Sequence, residues 1–398
     1  MSSIAVDSKT PLKGVLEEGL NSIKQALALG AYDVAANITK LVLKDYPNEP
    51  TVLELAVNVF SKISDIDLAI ETQQKLVTLH PSTLEHHKKL VELNIKMEAK
   101  SDAINACKYA LDILGHDNPA APWFFQNWTR LEINSPNCAD PLNLWLKNIN
   151  VEDEASNHNL SSLLAYAGRM EEALAVYLNH CVKAWDEATE LKKRPPENTL
   201  EDTYDTMADI YNQNALDISF GARMADFVTG LLGEDKKLII LDTACGTGIT
   251  GKHLKHIADK LVGFDLSQKM LEKAIELGVY DVLLKASFNE MIAKLPLYKK
   301  TFDVITSSCA LYHVPRLDSF FSQSAELLQN NGYLFFSVDP APDHMDVGIT
   351  QEAPMLEYAH SKKYIRKLGS EFGFSEIEIR VMAHRPNPGF WCAFQKDS

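Results

Sequence analysis

The sequence predicts two architectures in one chain: an N-terminal all-α solenoid of helical hairpins and a C-terminal α/β domain on a mostly parallel sheet. Three observations carry this. Ala35, Ala69 and Ala103 recur every 34 residues, each opening a similar helical segment. From residue 238 onward, short apolar runs alternate with helical patterns, the signature of strand–helix–strand units. Between the two regimes, residues 192–199 are charged and carry Pro195 and Pro196.

A chain of 398 residues with 46% hydrophobic content has room for two or three domains. No apolar run approaches the roughly 20 residues that span a bilayer, and the polar first eleven residues lack the order of a signal peptide and read as a loose tail. The six cysteines are scattered and form no Cys-x-x-Cys, which reads as reduced thiols in a cytoplasmic protein. A formal net charge of −15 argues against a nucleic-acid backbone as the main partner.

In the N-terminal half, Pro47 and Pro81 follow the first two alanines by 12 residues, and Gly115 takes that place in the third copy. A small residue at a helix crossing, a helix, then a stop is hairpin logic. The period, with Gly30, Tyr32, Ala35 and Pro47, resembles a tetratricopeptide repeat. Residues 168–177, with Ala173, read as a further copy, and the aromatic segment 120–155 as a divergent one. Such hairpins bury their apolar faces only by stacking. Their concave face is then a peptide-binding surface; the alternatives are an oligomerisation surface, giving a homodimer, or a cover over the next domain. The expected boundaries are 12–195 for the repeats and 200–398 for the second domain. The helical pattern of Tyr204, Met207, Ala208 and Tyr211 reads either as a helix capping that domain or as one whose aromatics cover its crevice, and both can hold.

The C-terminal half opens with an apolar strand at 238–241, ended by Asp242. Gly246 and Gly248 then give a tight turn that admits close backbone approach. A helix from Ile249 and a strand at 261–264 follow, ending in Asp265, 19 residues beyond Gly246. That is where a carboxylate reaches ribose hydroxyls. Ser267 is the expected N-cap of the next helix and Gly278 its stop. Further strands are expected at 281–285, 302–308, 333–338, 374–381 and 391–395. Helices are expected at 290–295, 317–328 and 362–370, a turn at 330–332, and irregular chain at 341–361. Asn387-Pro-Gly389 reads as the turn of a final antiparallel hairpin. The sum is a seven-stranded sheet with an antiparallel last strand.

With Asp242-Thr-Ala-Cys-Gly-Thr-Gly248, Asp265, Phe302-Asp303 and Leu327-Leu-Gln-Asn-Asn-Gly332 in place, residues 200–396 resemble the Rossmann-like class I S-adenosylmethionine-dependent methyltransferases. With the repeats in front, the chain resembles the bacterial methyltransferases that carry tetratricopeptide repeats. The resemblance implies methyl transfer from S-adenosylmethionine to a protein, peptide or small-molecule acceptor. It implies cofactor contacts from Asp242, Ala244, Gly246, Gly248, Asp265, Leu266, Met270, Ser287, Phe288 and Ser308. Two positions depart from it: Ala244 replaces a glycine, which requires an allowed backbone there, and Ser287 replaces an adenine-binding aspartate.

The acceptor is expected beyond the fourth strand, with His313 as a base or orienting group and Tyr312 as a wall. Asp339, His360, Tyr364 and Arg366 are the substrate-side candidates, with His384 and Arg385 near the last loop. No metal constellation is present. Two alternatives stand: a catalytically weak scaffold, kept open by Ala244 and Ser287, and a nicotinamide-dependent oxidoreductase, because Gly246, Gly248 and Gly251 also spell a dinucleotide pattern.

Overall fold

The computed structural model describes residues 10–186, 199–213, 215–351 and 356–398. The start of the tail, nearly all of the proline-bearing junction, and Pro354 lie outside them. The chain divides into two compact units, 1–150 and 151–398.

The first unit is a run of helices: α1 (Thr10–Ala28), α2 (Tyr32–Asp45), α3 (Pro50–Lys62), α4 (Ile66–Leu79), α5 (Leu84–Lys96), α6 (Lys100–Leu114), α7 (Ala121–Glu132) and α8 (Ala139–Lys147). Each packs on the next. Ala35, Ala69 and Ala103 have no exposed surface, as expected of crossing residues. The turns from α1 to α2, α3 to α4 and α5 to α6 pass through Gly30 (φ 71°), Ser64 (φ 62°) and Glu98 (φ 56°). These left-handed residues are again 34 apart, so the period belongs to the backbone as well as to the alanines. The aromatic segment after α6 is helical too, with Phe125 stacked on Trp145 at 6.1 Å.

The second unit begins with α9 (Glu154–Tyr166) and α10 (Met170–His180), the hairpin containing Ala173. It packs on the last two strands of the sheet. The division of the two units therefore falls at residue 150, ahead of the expected boundary near 195. After β1 (Lys183–Ala184) come α11 (Thr199–Tyr211), α12 (Ala215–Leu232), β2 (Leu238–Thr243), α13 (Ile249–Leu254), β3 (Ala258–Asp265), α14 (Gln268–Leu277), β4 (Val282–Lys285) and α15 (Met291–Lys294). Then follow β5 (Phe302–Ser307), α16 (Asp318–Leu327), β6 (Leu328–Ala341), β7 (Val347–Gln351), β8 (Glu357–Ser361), α17 (Lys362–Glu371), β9 (Phe374–His384) and β10 (Asn387–Lys396).

The seven expected strands run β4-β3-β2-β5-β6-β10-β9, with β10 antiparallel to both neighbours. Both faces are covered, so successive residues bury on opposite sides. Leu334, Phe336 and Val338 of β6 join one core with Phe320 and Phe321, while Phe335 joins the other with Phe227 and Trp391. Each fully buried aromatic contributes about 1.5–3 kcal/mol.

Three expectations are corrected. The segment 341–361 is not irregular: β8 pairs parallel with the end of β6, and β7 and β1 extend the sheet beyond it. Its prolines read as loop, yet Val347–Gln351 lies between them and supplies a strand. The expected turn at 330–332 is taken into β6 as an irregularity, with Asn331 left-handed at φ 63°. The last hairpin turns at Arg385-Pro386, because His384 and Asn387 are already paired. Gly389 lies inside β10, where a Cβ would meet His384 Cβ at 2.1 Å.

Candidate functional site

β2 lies between β3 and β5, so the chain leaves it in opposite directions at the carboxyl ends of these strands, and a crevice opens there. A cavity of about 580 Å³ occupies this place. Ala244 and Gly246 line it from the end of β2, Asp265, Leu266 and Met270 from the end of β3, Ser287 and Phe288 from beyond β4, and Ser308 and His313 from beyond β5. The structure thus brings nine of the sequence-derived residues together.

Asp265 organises the loop. Its Oδ2 accepts the Gly246 N–H at 2.8 Å and its Oδ1 accepts the Ser267 N–H at 2.9 Å. Burial raises its pKa against those hydrogen bonds. Each carboxylate oxygen can accept a second donor. A Cβ on Gly246 would meet no atom within 4 Å, so the missing side chain leaves open space over the loop backbone. Ala244 departs from expectation: its φ is 51°, a left-handed conformation that alanine disfavours.

Asp242 and Gly248 do not line the cavity. Asp242 is 1% exposed and faces the sheet, where it accepts from Tyr280 Oη at 2.6 Å and Thr306 Oγ1 at 3.1 Å. Burial raises its pKa to about 6. The ring of Tyr280 fills the space left by glycines: a Cβ on Gly251 would meet Tyr280 Oη at 2.3 Å, and one on Gly248 would meet Cε2 at 3.0 Å. The third glycine of the dinucleotide-like pattern therefore accommodates a tyrosine ring.

Helix α11 lies across the crevice. Asp205 accepts from Ser267 Oγ and from Lys269 N, and Asp209 pairs with Lys273 at 3.0 Å. Glu201 pairs with Lys285, and Asn212 accepts from Thr247 Oγ1 at 2.7 Å. Tyr204 and Tyr211 line the cavity. Tyr204 Oη is 2.9 Å from His313 Nε2 and 3.1 Å from Tyr312 Oη. Burial, then Arg385, lowers the His313 pKa to about 4, so the ring is neutral at pH 7 but weakly basic. Tyr312 is buried behind it, outside the cavity lining.

None of the four substrate-side candidates lines the cavity. Asp339, 1% exposed, accepts from His384 Nδ1 at 2.7 Å and from Arg385 Nη2 at 2.7 Å. Arg385 also grips Glu357 with two bonds of 2.8 Å and lies 3.9 Å over the Tyr312 ring. Despite burial, these cations hold the Asp339 carboxyl well below the usual range. Burial alone would push His384 down, but its interactions with the Cys309 side chain and with Asp339 outweigh it and raise the imidazole to about 9. His360 is fully buried, with Nε2 2.9 Å from the Val314 carbonyl. Tyr364 donates to Asp318 at 2.7 Å and accepts from Leu317 N. Arg366 is held on the surface by Glu376, at 2.7 and 3.0 Å. Sequence reasoning missed Tyr280, Cys309 and the Asp205–Ser267 link, because tertiary pairing alone reveals them.

Among the described residues, no three or more His, Cys, Asp or Glu side chains gather to hold a metal, and no helix is long and apolar enough to cross a membrane. None of the six cysteines is in a disulfide.

A glycine turn, an acid ending the next strand and a crevice at the reversal of strand order define a Rossmann-like α/β domain. Residues 241–336 match the sequence model of a family described as "Methyltransferase domain". The chain is similar to a ubiquinone biosynthesis O-methyltransferase of Pelagibacter ubique, 30% identical over 102 residues, covering 26% of this chain and 42% of that protein. It is also similar to an uncharacterized protein of Haemophilus influenzae, 36% identical over 109 residues, covering 25% of this chain and 41% of that one. The chain thus spans well under two thirds of these curated relatives. Among solved structures, the magnesium protoporphyrin IX methyltransferase of Synechocystis PCC 6803 with bound SAH is 16% identical, with a TM-score of 0.40, covering 51% of this chain and all of that one.

Proposed function

We propose that this protein transfers a methyl group from S-adenosylmethionine to a protein, peptide or small-molecule acceptor. The observation that carries the reading is the Asp265–Gly246 bond, which holds an acceptor-only carboxylate and a bare glycine backbone in one cavity wall. In this reading Asp265 accepts from the ribose hydroxyls, Leu266, Met270 and Phe288 flank the base, and the Ala244–Gly246 backbone holds the amino-acid portion. Bound there, the cofactor supplies a methyl group already activated on a sulfonium. The chain's own residues orient the acceptor and exclude water. His313 fixes the Tyr204 hydroxyl, and its weak basicity makes it a positioning group before it is a proton acceptor. The relatives named as O-methyltransferases favour an oxygen acceptor. Asp242 serves the fold of the loop through Tyr280, and Asp339 serves the arginine–histidine network.

The N-terminal helices are proposed as a tetratricopeptide-like array that recruits the acceptor, a partner protein or a second copy. The left-handed turns at Gly30, Ser64 and Glu98 support a true repeat. A cytoplasmic setting rests on six cysteines without a disulfide. A second reading, a scaffold with weak catalysis, is favoured by the strained Ala244 and by Ser287, whose hydroxyl is bound to Glu290 at 2.9 Å. Calorimetry with S-adenosylhomocysteine separates the two: binding at micromolar levels supports the enzyme, and its absence the scaffold. A labelled-methyl assay on lysate split into protein and small-molecule fractions then assigns the acceptor class.

A further inference from the structure

β9 is the outer strand of the last hairpin, and its free edge has no part in the reading above. It pairs with β10 from Phe374 to His384, and among the described residues no strand pairs with its other side. An edge of this kind is a template for one more strand. Side chains alternate between the two faces of such a strand. Ile379 lies opposite Cys392 and packs, with Val381, against the core on that face. Glu378 and Arg380 lie on the other face, opposite Ala393 and Trp391. There the Arg380 guanidinium forks onto the Glu378 carboxylate with two bonds of 2.8 Å. Neither side chain is buried: they are 48% and 32% exposed. Ile377 has no partner on β10, because the register shifts there, and it is 45% exposed.

We propose that β9 pairs antiparallel with β9 of a second copy of this chain, about a two-fold axis at Ile379. This goes beyond methyl transfer and does not depend on it. A two-fold axis requires a surface complementary to itself. Centred on Ile379, the axis sets Glu378 opposite Arg380 of the second copy, and Arg380 opposite its Glu378. Together with the fork inside each strand, the four side chains then alternate in sign around a square. Centred one residue earlier or later, the axis sets Glu378 opposite Glu378 or Arg380 opposite Arg380, and like charges directly opposed destabilise a sheet. An axis between two residues pairs side chains from opposite faces, which the pleat forbids. Charge and pleat thus select this register from its neighbours. It also brings the exposed Ile377 of one copy to Val381 of the other. About five paired residues a side make a small, transient-class interface, so the expected dissociation constant is on the order of 10 µM.

The competing reading is that these charges blunt the edge and keep copies apart. Sedimentation velocity on the full chain, from about 1 to about 100 µM so as to bracket that constant, separates the two. The native chain is expected to show a reversible monomer–dimer equilibrium. Glu378→Arg and Arg380→Glu, each with native circular dichroism, are expected to weaken it by about tenfold or more. The double variant Glu378→Arg/Arg380→Glu reverses every sign but keeps the alternation, so its association is expected to recover to within about threefold of native. A dimer formed through the helices of the first unit would be unmoved by all three variants. A native chain still monomeric at about 100 µM, a dimer that the single changes leave unweakened, or a double variant that does not recover overturns the proposal. Should one single variant fail to fold, the other and the double variant decide.

Discussion

The Gly246 N–H donates to Asp265 Oδ2 at 2.8 Å, so the acid expected to hold a ribose also holds the glycine turn. Loop shape and ligand contact therefore depend on one side chain. Asp265→Asn keeps the size but offers an N–H to one of two backbone donors, at a cost of about 1–3 kcal/mol. The expected outcome is at least a tenfold weaker affinity for S-adenosylhomocysteine, about 1.4 kcal/mol, by titration calorimetry, with a lowered melting temperature. Unchanged affinity would remove Asp265 from the cofactor site.

Gly251 and Tyr280 form a second pair. A methyl on Gly251 would meet the Tyr280 hydroxyl at 2.3 Å and push it from Asp242. Gly251→Ala is expected to destabilise by about 1–3 kcal/mol through overpacking. In a Tyr280→Leu background the same change should cost less, because the clash is gone. Urea denaturation of the four proteins gives the coupling. Purely additive effects would mean that the glycine serves something other than the tyrosine.

Ala244 has the opposite prospect. Its left-handed φ of 51° costs about 1–2 kcal/mol, whereas glycine's freer unfolded chain costs about 0.4–1 kcal/mol. Ala244→Gly is therefore expected to stabilise by up to about 1.5 kcal/mol. A lower denaturation midpoint in the variant would show that the alanine methyl makes a packing contact worth more than its strain.

The architecture was legible where a residue's role is local. Ser267 caps α14 and Gly278 ends it in a left-handed turn, as their types announce. Asp265 and the glycine loop were readable because strand, turn, helix and acid are fixed in spacing. The substrate side was not readable, because its residues find partners far along the chain. Asp339 meets His384 and Arg385 across 45 and 46 residues, and His360 meets Val314 across 46. A charge beyond a strand looks free in sequence, and its counter-charge appears only when β6, β8 and the last hairpin assemble. The same holds for β7 and β8, because β8 pairs with the end of β6 and β7 then pairs with β8.

The Asp339–His384 pair gives stability a defined response to pH. His384 is raised in the folded chain to about 9 from an ordinary 6.5. Its contribution is then full below pH 6.5 and is lost as pH rises through about 9. Asp339 is depressed, so its contribution is present at neutral pH and lost only in acid. Asp242, raised to about 6, loses its own contribution between about pH 4 and 6, below this window. The unfolding free energy of the wild type is therefore expected to fall between pH 6.5 and 9.5, by on the order of 3 kcal/mol at most. His384→Gln should start lower and show a flatter profile over the same range. Urea midpoints at pH 6, 7.5 and 9, chosen as about half-window steps, provide the measurement. A wild-type profile as flat as the variant's would mean that folding leaves the number of protons bound at His384 and its neighbours unchanged over this range.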